Sequence, residues 1–188
     1  MSRIGLGLIL TLVSSAVFAA APSWVARSDA YTQPVLKDTG KYQPEESTEL
    51  GDESFDTAVA DFKPRDYERM LADTEKRLKE LRRQRALEKD VKVRQDLDIL
   101  IDSREKLVTS MKLERQYLIT YVNVGELVYG GLQSLLDPRN KPERRKLALV
   151  RLKRYAGKEN GTTPIASLVR ARSEERLANK ALIGPYVG

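Results

Sequence analysis

Residues 64–121, PRDYERMLADTEKRLKELRRQRALEKDVKVRQDLDILIDSREKLVTSMKLERQYLITY, return an apolar residue every three or four positions, and that rhythm decides the fold. Pro64 suits a first helical position, where its missing N–H is no loss. Behind it Tyr67, Leu71, Thr74, Leu78 and Leu81 follow at spacings of four, three, four and three, the stripe of an amphipathic helix. Asp90 is placed to cap a second helix, in which Val93, Leu97, Leu100, Arg104, Leu107, Met111 and Leu118 continue the stripe to about Tyr121. Two helices of similar length joined near residues 89–92 pack antiparallel as a helical hairpin, against the alternative of one long helix through residue 90.

Outward from the hairpin the chain stays helical. Ser23 is a candidate cap for a first helix on which Trp24, Ala30 or Tyr31, and Val35 share a face, with Pro34 expected to kink or end it. Residues 37–64 are polar and turn-rich and are expected to be the most mobile part, apart from a short packed turn around Phe55, Val59 and Phe62. Residues 125–136 form a short apolar helix stopped by Asp137-Pro138. Pro142 opens a basic helix with Leu147, Val150, Leu152 and Tyr155 expected inward, ended by Gly157. Asn160-Gly161 reads as a turn, Thr163 as a cap, and Pro164 as the first position of a last helix to about Ala178. No segment alternates as a strand does, so the fold class is all-α.

At the amino terminus Ser2 and Arg3 precede an apolar stretch from Ile4 to Val17, and Val17-Phe18-Ala19 has small residues where a signal peptidase inspects them. This is the pattern of a secretory leader cleaved after Ala19 or Ala20. The apolar run is shorter than the roughly 20 residues that span a bilayer, so no stable membrane anchor is expected after cleavage. The expected organisation is a signal peptide at 1–19, a first helix and polar loop region at 20–63, the hairpin at 64–122 and short helices at 123–188.

Composition narrows the chemistry. The chain has no histidine and no cysteine, which removes disulfides, a thiol nucleophile and the imidazoles on which catalytic zinc sites are normally built. Charged residues make up 32% of the 188, the formal net charge is +6, and the mean hydropathy is −0.46, which describes a thin core under much solvated helix surface. Basic clusters stand at Arg82-Arg83-Gln84-Arg85, Arg144-Arg145-Lys146 and Arg151-Leu152-Lys153-Arg154. Glu80, Glu88 and Glu143 interrupt them and no aromatic is set among them for base stacking, so nucleic acid is not expected as a partner.

Three local patterns resemble sites and are read as structure. Ser103-Arg104-Glu105-Lys106 matches S-x-x-K, in which a lysine amine activates a serine, but its companion motifs are missing. Gly125 to Gly131 has only the glycine spacing of a phosphate loop, and close helix packing explains it better. Glu45, Glu46, Glu49, Asp52 and Glu53 could surround a hard cation, yet their spacing lacks the periodic oxygens of a calcium loop. No catalytic, cofactor-binding or metal-ligating residue is assigned.

Several segments together resemble one family: Ser23-Trp24-Val25-Ala26-Arg27-Ser28; Val93-Arg94-Gln95-Asp96-Leu97 with Ile101-Asp102; Gly130-Gly131-Leu132-Gln133-Ser134-Leu135-Leu136-Asp137; and Pro142-Glu143-Arg144-Arg145. The run from Ala148 through Tyr155-Ala156-Gly157 and Gly161-Thr162-Thr163-Pro164 to Leu182-Ile183-Gly184-Pro185-Tyr186 continues it. They are similar to the N-terminal part of bacterial exported proteins of the domain-of-unknown-function 885 (DUF885) family. The resemblance implies an α-helical zinc peptidase whose H-E-x-x-H helix, metal ligands and general base stand in the C-terminal half of a longer chain. It supplies no catalytic residue here, and zinc is expected only in full-length relatives.

The chain ends at Val187-Gly188 where the family pattern would continue, which implies a truncated member, inactive alone and exported to the bacterial periplasm or medium. Its expected partners are a separately encoded catalytic half or a second copy joined through exposed helix faces. The competing expectation is a small periplasmic helical binding or adaptor protein.

Overall fold

The structure, a computed structural model, describes residues 23–159 and 161–184. The proposed leader with its cleavage point at Ala19, the turn residue Asn160, and Pro185-Tyr186 lie outside the described residues. The chain is all-α: α1 (Ser23–Tyr42), α2 (Pro44–Glu49), a single 3-10 turn (Glu53–Phe55), α3 (Asp66–Leu87), α4 (Val91–Tyr117), α5 (Val124–Leu136), α6 (Pro142–Tyr155) and α7 (Ile165–Leu177). Among the described residues there is no strand, only an isolated parallel bridge between Leu118 and Ile183.

Helices α3 and α4 form the hairpin, and the break between them has a local cause. The Asp90 carboxylate accepts from the backbone N–H groups of Lys92 and Val93, which holds two otherwise unpaired donors at the start of α4. Glu88 accepts from the N–H groups of Lys89 and Asp90 and fixes the turn before it. The start of α3 departs from expectation. Pro64 lies in a turn closed by Asp66 N–H to Lys63 C=O at 3.1 Å, and Arg65 adopts a φ of 62° before the helix begins at Asp66.

The inward stripe is largely as the spacing predicts. Thr74, Leu78 and Leu81 of α3 and Val93, Leu97 and Met111 of α4 are buried. Helix α1 completes a three-helix bundle: Val35 closes on Leu81, Val93 and Leu97, flanked by Trp24, Tyr31, Leu100 and Ile101. Pro34 neither ends nor divides α1, which runs through it to Tyr42. A proline inside a helix costs about 3 kcal/mol. Burial of Val35 against Leu81, Val93 and Leu97 holds the helix against that penalty, with a smaller contribution from the solvated ion pairs Arg27–Asp90, Asp38–Arg77 and Lys41–Asp73.

The second packing unit joins α5, α6 and α7 around Tyr155, Ile165 and Val169, with Val59, Phe62, Val122, Leu127 and Val128 against them. Helix α4 ends at Tyr117, earlier than the apolar rhythm suggests. Arg176 of α7 donates to the carbonyls of Glu114, Arg115 and Leu118, so a side chain from a distant helix satisfies the exposed end of α4. Beyond that end Ile119 N–H pairs with Ile183 C=O at 2.9 Å and Ile183 N–H with Tyr117 C=O at 2.8 Å. Thr163 does not cap α7, which starts after Pro164 without a side-chain cap.

Leu97 is fully enclosed and Leu149 is 58% exposed. Leu97→Ala is expected to lower unfolding free energy by about 2–5 kcal/mol, because the lost side chain leaves a cavity. Leu149→Ala is expected to change it by less than about 0.5 kcal/mol. Urea denaturation of both variants checks the assignment of the core.

Candidate functional site

The segment between α1 and α3 is where structure departs most from expectation. Pro44, Ser47, Thr48, Asp56 and Ala60 are buried, with Thr48 and Asp56 each only 2% exposed. The segment is therefore pinned to the body of the protein at these five positions, while Gln43, Glu46 and Glu49 to Gly51 stay exposed, and α6 supplies what holds it there. Arg151 is 0% exposed and donates to Thr48 Oγ1 at 2.6 Å, to Phe55 C=O at 2.6 Å and to Gly131 C=O of α5 at 2.9 Å. One guanidinium thus ties three separate pieces of chain together.

Neighbouring side chains of α6 extend the clamp. Arg144 grips Asp56 through two bonds, Nε to Oδ2 at 2.7 Å and Nη2 to Oδ1 at 3.0 Å, and also donates to Thr48 C=O. Arg154 donates to the carbonyl and hydroxyl of Thr57. The Tyr155 hydroxyl donates to Glu45 Oε1 at 2.8 Å, and the same oxygen accepts from Ala60 N–H. Gly131 must be glycine for this packing, since a methyl group there would collide with the Tyr155 hydroxyl.

On helix α6 Tyr155 is buried as the apolar pattern predicts and Leu147 and Val150 are partly buried, but the inward face is turned away from Leu152. Ala148, Arg151 and Tyr155 face inward, whereas Leu152 is 44% exposed. The Ala148, Arg151, Tyr155 spacing of three and four was a usable signal, but an arginine in it gives no reason to expect burial. Burial of Arg151 lowers its pKa, and no carboxylate contacts it. Its compensation comes from carbonyl and hydroxyl acceptors that converge only once α5, the 3-10 turn and α2 are in place. Burial first, and then the Glu45 carboxylate, push the Tyr155 phenol well above its ordinary pKa, so it remains a donor.

The motifs that resemble sites in sequence are dispersed. Ser103 and Lys106 are both exposed on α4; Lys106 pairs with Asp102 at 2.7 Å, while Ser103 Oγ accepts from Arg104 at 3.3 Å. Lys106 therefore does not serve Ser103 as a base. Gly125, Gly130 and Gly131 lie within α5 and form no loop. In the acidic stretch Glu45 turns to Tyr155 and Asp52 caps the 3-10 turn through Ser54. Among the described residues no group of three or more His, Cys, Asp or Glu side chains is placed to hold a metal ion. The basic cluster of α3 is ion-paired on the surface, Arg82 with Glu105, Arg83 with Glu80 and Arg85 with Asp98.

One recess brings charged and apolar side chains of three helices together. Below Val35 the three-helix bundle opens into a groove of about 460 Å³ between α1, α3 and α4. Arg104, Leu107, Met111 and Glu114 line it along one face of α4, and Met70 and Thr74 face them from α3. Arg104 is half-buried and donates only weakly, to Thr39 Oγ1 and Ser103 Oγ at 3.3 Å each. Sequence reading placed Arg104 correctly on the inward stripe of α4 but gave it no role.

No family model matches the chain, nor does a curated protein or a solved structure.

Replacing Arg151 by methionine keeps bulk but leaves Thr48, Phe55 and Gly131 without their donor. Charge-assisted hydrogen bonds contribute about 1.5–3 kcal/mol each, so Arg151→Met is expected to lose about 3 kcal/mol or more. Amide exchange should accelerate first in residues 44–60, where the clamp acts. The tyrosine gives a pH signature. Below about pH 10 both folded and unfolded chains carry the phenolic proton; above it only the unfolded chain ionises, so stability falls as pH rises. Urea midpoints should fall as the pH is raised above about 10, and Tyr155→Phe should make that decline shallower.

Proposed function

We propose that the chain is a non-catalytic helical scaffold, the exported N-terminal part of a DUF885-like peptidase, which braces a catalytic half carried elsewhere. The observation that supports this reading is the location of the residues behind the resemblance. Gly131, Arg144, Arg151 and Tyr155 all belong to those segments, and all of them meet in the buried clamp. Their work is to hold helices together, as expected of a supporting module.

Surface chemistry agrees with that role. Tyr129 and Leu136 of α5 are 67% and 54% exposed and, with Leu132, form an apolar recess ending at Pro138. Such a stripe fits a helix of a catalytic half or of a second copy. It also favours the second reading, a small periplasmic adaptor that receives a partner helix. No helix among the described residues is long and apolar enough to cross a membrane.

The purified protein is expected to hydrolyse no member of a peptide panel, with or without added zinc. Robust zinc-dependent turnover overturns the scaffold reading. The nucleotide sequence beyond the codon for Gly188 is expected to encode an H-E-x-x-H helix, in the same frame, in another frame or in an adjoining gene. Copurification with a histidine-rich helical protein supports a separately encoded half, while unrelated neighbouring genes and a stable monomer favour the adaptor.

A further inference from the structure

The groove beside α4 carries an unbalanced set of charges. Of the ionised side chains that line it, Asp38 is paired with Arg77 at 2.6 Å and Asp73 with Lys41 at 2.6 Å. Arg104, Glu46 and Glu114 have no ion-pair partner among the described residues. Arg104 stands at one end. Glu114 stands ten residues further along α4, about 15 Å away at 1.5 Å per residue. Met70 lies at that same end, since Glu68 two residues before it pairs with Arg115, and Glu46 shares with Met70 both this groove and the cavity that adjoins it. Between the ends lie Leu107 and Met111.

A ligand that fits must carry an anion at one end, a cation about 15 Å away and apolar groups between them. An extended peptide rises about 3.3–3.6 Å per residue, so about four residues span that distance. We propose that the groove binds a short peptide with free termini, its C-terminal carboxylate on the Arg104 guanidinium, its N-terminal ammonium toward Glu46 and Glu114, and its apolar side chains over Leu107 and Met111. A fatty acid would satisfy Arg104 alone and leave the two glutamates facing an alkyl chain. Burial lowers the pKa of Arg104, and an incoming carboxylate replaces the water that this guanidinium has lost. The inference does not rest on the peptidase-like reading and stands or falls separately from it.

Calorimetric titration of the full chain with the tetrapeptide Ala-Leu-Ala-Leu tests the groove, with the C-terminal amide, the N-acetylated peptide and octanoate as comparison ligands. The free peptide is expected to bind saturably. Amidation should weaken it about ten-fold or more, the loss expected when a charge-assisted hydrogen bond is removed, and acetylation should weaken it less. Arg104→Gln should bring the free peptide down to the affinity of the amide and leave the amide unchanged. Arg104→Lys, which keeps the charge, serves if the glutamine variant melts early by circular dichroism, and should retain a preference for the free acid. Equal binding of acid and amide, no binding of the free peptide, or tighter binding of octanoate than of the peptide overturns the proposal.

Discussion

The fold depends on a positive charge in its interior. Arg151 has no carboxylate against it, and its burial is tolerated because two backbone carbonyls and a threonine hydroxyl point at it from three elements. Withdrawing a cation from water costs several kcal/mol, and only well-aligned acceptors offset it. The same geometry gives the interaction its specificity. If α2, the 3-10 turn or α5 moved away, the guanidinium would lose the acceptor that element supplies, so each element is held in register by the others.

Other arginines repeat that solution. Arg144 and Arg154 hold the loop from Thr48 to Thr57 against α6, and Arg176 closes the end of α4. Each supplies several donors in a planar fork, which suits the carbonyls that helix ends and irregular loops leave unpaired. A chain with a thin apolar core and no disulfide thus joins its helices through cation-to-carbonyl contacts. Surface pairs such as Lys106–Asp102 contribute far less, because water screens them and both side chains lose freedom on pairing.

The bundle of α1, α3 and α4 divides along its length. Its upper part is closed by Val35, Leu81, Val93 and Leu97, whereas its lower part on α4 sets Leu107 and Met111 between Arg104 and Glu114. The entry of Arg104 and Glu114 into an otherwise apolar stripe of α4 is what makes a groove there. A leucine at position 104 would extend the core; an arginine keeps the site wet and gives it polarity.

The sequence by itself determined the helical class, the hairpin and its Asp90 cap, and the burial of Val35, Leu81, Val93 and Leu97, because helix periodicity and capping are local properties of the chain. In residues 37–64, read locally as polar and turn-forming, the burial of Pro44, Ser47, Thr48, Asp56 and Ala60 came only through the tertiary structure. So did the rotation of α6 that buries Arg151 and exposes Leu152, the passage of α1 through Pro34, and the early end of α4 under Arg176. In each case the deciding partner lies in another element: the acceptors that stabilise a buried guanidinium, or the packing that outweighs a proline, exist only after the helices have met.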